Sequence, residues 1–117
     1  MINDKETIQP TLFEANADNI EIERVLLYAL GEFQSRGKVL AERELALDRL
    51  RGAFKRATEK FGLAEFSDEK IAEGLGKLGV NVRRVPNFVA KHPFRVTVKS
   101  ELAQRAKEIY QKSLNDD

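Results

Sequence analysis

The sequence predicts a mostly helical α+β fold, and three observations carry that expectation. Apolar residues recur at helical spacing through three successive stretches; a basic segment then alternates between apolar and polar residues; a last amphipathic stretch closes the chain. The expected order is therefore helix, helix, helix, strand, strand, helix: a three-helix core, a two-stranded β-hairpin and a C-terminal helix. With 117 residues, 42% of them apolar and seven of them Phe, the chain has the size and composition to close one modest core. The expected organisation is a flexible N-terminal arm over 1–18 and one domain over 19–117.

From Met1 to Ala17 the apolar residues Ile2, Ile8, Leu12 and Phe13 are scattered around Pro10 without a sustained period, which suits an arm. No basic leader precedes an apolar stretch, so no secretory signal is visible, and no apolar run approaches the length of a membrane span. The chain has no Cys, which rules out disulfides and thiolate metal sites and gives no sign of an oxidising compartment. The expected location is the cytoplasm, with no membrane partner.

Asp18 and Glu21 suit a helix start, after which Ile22, Val25, Leu26, Ala29, Leu30 and Phe33 recur at helical spacing up to Gly37. Because Val25 to Leu30 is apolar all round, this first helix is expected at the centre of the core. The second helix is read over Lys38 to Phe61. Leu40, Leu47, Phe54 and Phe61 lie seven apart there, with Leu50 and Ala57 on companion positions and Arg43 as the polar exception. Such a seam packs on the first helix and the hairpin, with a bend at Gly52, or else supplies part of a homodimer contact.

Ser67 is a good N-cap for the third helix, with Asp68 and Glu69 in its first turn and Phe66 placed to staple onto Ile71. Ile71, Leu75 and Leu78 form its apolar stripe, Gly74 and Gly76 each weaken it by about 1 kcal/mol relative to Ala, and Gly79 ends it. Val80 to Val85 and Phe94 to Val98 then read as two strands joined by the loop Pro86 to Pro93. Ser100 is expected to cap a last helix with Leu102, Ala106 and Ile109 on one face and Tyr110 beside it.

Over about Asn19 to Lys112 this element order resembles the winged-helix class of helix-turn-helix domains, the hairpin standing as the wing. The resemblance implies DNA binding and a role in transcription regulation. Two features depart from it: the second helix is about twice the usual length, and the helix in the recognition position carries Asp68, Glu69 and Glu73. Carboxylates facing phosphates serve groove reading poorly.

The hairpin is the better candidate for phosphate contact. Between Val80 and Lys99 lie Arg83, Arg84, Lys91, Arg95 and Lys99 and no acidic residue, in a chain whose net charge is only +1. His92, the one histidine, sits in the loop beside Lys91. Arg49, Arg56 and Lys60 fall at spacings of seven and four on one face of the second helix, a second basic patch for the same anion. Phe88 and Val89, apolar residues in a loop, either plug the core or are offered to a partner, where Phe88 could stack on a base.

Other chemistries lack support. Gly74 to Gly79 matches the letters G-x-G-x-x-G, yet it closes a helix and precedes a strand, the reverse of a dinucleotide-binding loop. One His without Cys leaves no metal site to expect. Ser35, Ser67, Ser100 and Ser113 stand in no nucleophile elbow. No cofactor, metal or catalytic activity is expected. Two functions stay open: a small nucleic-acid-binding regulatory protein that contacts DNA or RNA phosphates through the hairpin, and a protein-interaction adaptor that docks through the second-helix seam or through Phe88 and Val89.

Overall fold

The computed structural model describes residues 21–86, 88 and 93–116; the expected arm and the Asp18 cap lie outside them. Among the described residues, α1 (21–35) is followed by β1 (Glu44–Ala46) and a 3-10 turn (Leu47–Leu50) that runs into α2 (Arg51–Lys60). Then come α3 (Asp68–Lys77), β2 (Asn81–Arg84), β3 (Phe94–Thr97) and α4 (Ser100–Asp116). The strands form one antiparallel sheet in the order β1-β3-β2.

The apolar run in α1 has the consequence expected of it. Val25, Leu26, Ala29 and Leu30 are fully buried, and Leu27, Tyr28 and Phe33 nearly so, because neighbours cover the helix on several sides. The helix ends at Gly37, whose positive φ of 81° turns the chain away while its N–H donates to the Gln34 carbonyl at 2.9 Å. α4 packs against α1 at a point where both must be thin: a Cβ on Gly31 would collide with the Ala106 carbonyl and with Tyr110 Cβ. Gln34 donates to the Ala103 carbonyl at 2.9 Å, and the rings of Tyr28 and Tyr110 meet edge-on at 5.0 Å.

The expected helix over Lys38 to Phe61 is corrected: only its second half, from Arg51, is α-helical. Ala41 forms a bridge to Val98, Glu42 adopts a φ of 58°, and Glu44 to Ala46 pair with β3, Leu45 opposite Val96. The physical reason is a competition between local and distant partners. Helix propensity is worth only tenths of a kcal/mol per residue, whereas β1 satisfies the edge of β3 and buries Leu45 and Leu47 at a strand's period of two. Leu40, Leu47, Leu50 and Phe54 are all within 3% of complete burial. They reach one core from a linker, a 3-10 turn and a short helix, so the seven-residue spacing is no helix seam and offers no homodimer face. Gly52 lies in the first turn of α2 and marks no bend.

Elsewhere the local signals hold. Ser67 Oγ accepts the Lys70 N–H at 3.1 Å and caps α3, with Asp68 and Glu69 in the first turn. Phe66 packs partly buried on the core, with Lys70 Nζ 5.1 Å from its ring centre. β2 and β3 pair with Val82 opposite Val96 and Arg84 opposite Phe94, and Val96 and Val98 are buried. The hairpin is thus two-thirds of a three-stranded sheet. α4 also starts differently: Ser100 is its first helical residue, and its N–H donates to Glu42 Oε2 at 2.7 Å. A carboxylate 58 residues back in the chain does the capping that the Ser100 side chain was expected to do.

The glycines of α3 divide into two environments. Gly74 is buried against α1, where an added Cβ would lie 2.6 Å from Leu26 Cδ1, while Gly76 faces open space. Gly76→Ala is therefore expected to raise stability by about 0.5–1 kcal/mol through helix propensity. Gly74→Ala, with the same propensity gain, is expected to lower it by about 1 kcal/mol because Leu26 is locked in the core and overpacking dominates. Urea unfolding of the two variants checks the opposite signs.

Candidate nucleic-acid interface

Strand alternation divides the sheet's side chains between two faces. Leu45, Val82 and Val96 belong to the core face; Glu44, Arg83, Arg95 and Thr97 occupy the outer one. In this register Arg83 stands directly opposite Arg95, a like-charge cross-strand pair of the kind that destabilises a sheet. Relief comes from β1. Glu44 accepts from Arg83 Nε at 3.1 Å and from Arg83 Nη2 at 2.9 Å, reaching across β3.

The stretch that is acid-free in sequence is therefore not acid-free in space. The hydrogen bond from Arg83 outweighs a slight desolvation and, with the charges of Arg83 and Arg95, holds the Glu44 carboxyl below its ordinary range; Glu44 in turn raises Arg83. Both side chains are about half exposed, so the pair contributes little to stability and shapes mainly the local field.

The other expected hairpin contacts are distributed unevenly. Arg84 belongs to the opposite face, its guanidinium 5.1 Å from the centre of the Phe94 ring that lies across from it. Arg95 Nη1 donates to the Phe94 carbonyl at 3.2 Å. Lys99 is exposed between β3 and α4, and Phe88, in the turn of the hairpin, is 90% exposed. Lys91, His92 and Val89 lie outside the described residues.

The residues of the expected basic row, Arg49, Arg56 and Lys60, come from two consecutive elements. Arg49 is in the 3-10 turn and the other two are on α2. Arg56 forks onto Glu32, with Nη2 2.9 Å from Oε1 and Nε also on the carboxylate, while Arg36 Nη2 approaches the same group at 3.2 Å. Glu32 is 7% exposed. Burial pushes its carboxyl up, and the hydrogen bonds and charges of Arg56 and Arg36 more than offset this and hold it low. Arg56 is in this way the counterion of a buried carboxylate. Lys60 lies 5.7 Å over the Tyr28 ring.

The exposed part of α3 is mixed. Arg51 pairs with both Asp48 and Asp68 at 3.0 Å, which removes one of the helix's carboxylates, and Glu69 and Glu73 remain exposed beside Lys70 and Lys77. Three residues that matter here were missed in the sequence. Glu44 was hidden because its segment read as helix, although Leu45 and Leu47 alternate with Glu44 and Ala46. Lys38 and Arg43 were hidden for the same reason, and they join Arg49 around a cleft of about 280 Å³ beside β1.

A larger cleft of about 440 Å³ lies between α1 and α4, lined by Arg24, Leu27, Arg105, Ile109 and Lys112 together with Glu23 and Ser113. Among the described residues there is no group of three or more His, Cys, Asp or Glu that could hold a metal ion, and no helix is long and apolar enough to cross a membrane. No protein-family model, curated protein or solved structure matches the chain.

Removing the guanidinium from Glu32 has a pH signature. The Glu32 carboxyl titrates below its unfolded value, so its contribution is complete above about pH 4.5 and is lost as the pH falls through the folded value. Arg56→Ala is expected to lower stability by about 1–2 kcal/mol at pH 7, since Arg36 still holds the carboxylate. The difference from the parent protein should shrink below pH 4, and Glu32→Gln in the same background should recover most of the loss at pH 7. Denaturant midpoints across pH measure all three.

Proposed function

We propose that this chain is a winged-helix-like regulatory module that binds nucleic acid through phosphate contacts from its β2–β3 hairpin. Three helices followed by a hairpin, with β1 added along β3, support the fold reading. The observation that carries the function is the cross-strand pair of Arg83 and Arg95 on the exposed sheet face. Two cations placed opposite each other cost stability, and Glu44 answers Arg83. A phosphate backbone laid across that face would meet both guanidinium groups, with Lys99 at the margin.

The mixed charge of α3 assigns it no base-reading role in this proposal. Binding is then governed by shape and charge more than by sequence. A protein-interaction module is the second reading, and Phe88 favours it: an aromatic side chain 90% exposed at the hairpin turn fits an apolar pocket of a partner.

Because a Glu at position 83 would stand against Glu44, neutral substitutions make the cleaner test. The double variant R83Q/R95Q is expected to weaken binding to a random duplex by tenfold or more while leaving thermal unfolding nearly unchanged. With about three phosphate contacts, log K against log salt should fall with a slope near −3 for the parent and about −1 for the variant. Fluorescence anisotropy at several salt concentrations gives both numbers. Absence of duplex and single-stranded RNA binding at low salt would end this reading and leave the interaction module, for which Phe88→Ala is the next variant.

A further inference from the structure

Ten arginines are described, and most already have a partner. Arg36 and Arg56 hold Glu32, Arg51 holds two aspartates, and Arg83 holds Glu44. Arg24 and Arg84 lie over aromatic rings, and Arg95 donates to a carbonyl. Arg43, Arg49 and Arg105 make no such contact among the described residues, and the first two line one cleft. Lys38 lines it too, and no carboxylate does. An Arg side chain has considerable rotamer freedom, and nearby like charges repel, so an unanswered cluster in a chain of net charge +1 calls for a ligand.

The backbones under these cations are held in place. Glu42, immediately before Arg43, is fixed in its positive-φ conformation by two bonds: its N–H donates to the Val98 carbonyl at 2.7 Å, and its carboxylate accepts from Ser100. Arg49 sits in the 3-10 turn between Leu47 and Leu50, both buried. Lys38 follows the end of α1, where the negative end of the helix dipole attracts a cation. That accounts for Lys38 and leaves the two arginines, which come from different elements, without a structural role. The buried side chains of Phe33 and Leu45 also line the cleft and tie it to the core.

We infer that the cleft formed by Lys38, Arg43 and Arg49 beside β1 is a phosphoryl-binding site. Guanidinium groups present planar forks that match phosphate oxygens, and an ammonium completes the charge. The phosphoryl group arrives on a nucleic-acid backbone or on a small phosphorylated molecule. This site does not share a residue with the hairpin surface, so it stands or falls separately from the proposed function.

Inorganic pyrophosphate and a duplex oligonucleotide are the two probes, applied to the parent protein, to R43Q/R49Q and to R43K/R49K, with thermal unfolding as the control on folding. Pyrophosphate is expected to shift the amide resonances of Lys38, Arg43, Leu45 and Arg49, with affinity at least tenfold weaker in R43Q/R49Q and partly kept in R43K/R49K. If R43Q/R49Q also weakens duplex binding and reduces the salt slope by about two, the backbone is the source. Unchanged duplex affinity together with a pyrophosphate footprint assigns the site to a small phosphorylated molecule. Should R43Q/R49Q unfold, the footprint on the parent protein decides. No pyrophosphate footprint and no effect of either variant on the duplex overturns the inference, whatever the outcome for R83Q/R95Q.

Discussion

Burial of α1 on all sides is the constraint on which the rest of this structure depends. A helix whose residues from Val25 to Phe33 are all withdrawn from water needs neighbours close on every side. Close approach demands small residues where backbones meet. Gly31 lets the Ala106 carbonyl of α4 come close to α1, and Gly74 lets α3 come up to Leu26. The same burial encloses Glu32, a carboxylate that an apolar environment cannot hold ionised by itself, and so recruits Arg56 from α2 and Arg36 from the end of α1. Packing around one helix thereby engages two cations that remain partly exposed.

The second organising element is β1, only three residues long. It closes the outer edge of β3, and the segment that leads into it does two further things. Glu42 bends the chain at positive φ and reaches the start of α4, tying the strand entry to the last helix. Glu44 sets a carboxylate on the outer sheet face against Arg83. A surface that would carry two facing arginines thus has a local counterion, which moderates the field without cancelling it.

These two elements sort the basic residues of the chain by what they can still do. Arg51 and Arg56 hold α2 to its neighbours, and Arg36 shares the Glu32 carboxylate with Arg56. Arg83 and Arg95 face solvent together, and Arg43 and Arg49 line a cleft with no carboxylate. A phosphate-bearing partner is the common chemistry we propose for both of these places.

By itself the sequence determined the elements whose signals are local: the apolar period of α1, the Ser67 cap of α3 with its acidic first turn, the Gly37 and Gly79 stops, and the alternation of β2 and β3. Each depends on residues within one or two turns of one another, so each is legible without the fold. The hairpin was legible as a basic unit for the same reason. What only the tertiary structure decided is the stretch from Lys38 to Leu50, together with the partners of the charges. Leu40, Leu47, Phe54 and Phe61 satisfy a helical spacing, yet Leu45 is held as a strand by Val96, about fifty residues away. Glu32 meets Arg56 across 24 residues and Glu44 meets Arg83 across 39. Propensity acts over a few residues and is worth tenths of a kcal/mol, whereas burial and edge pairing act between segments that only the closed core brings together.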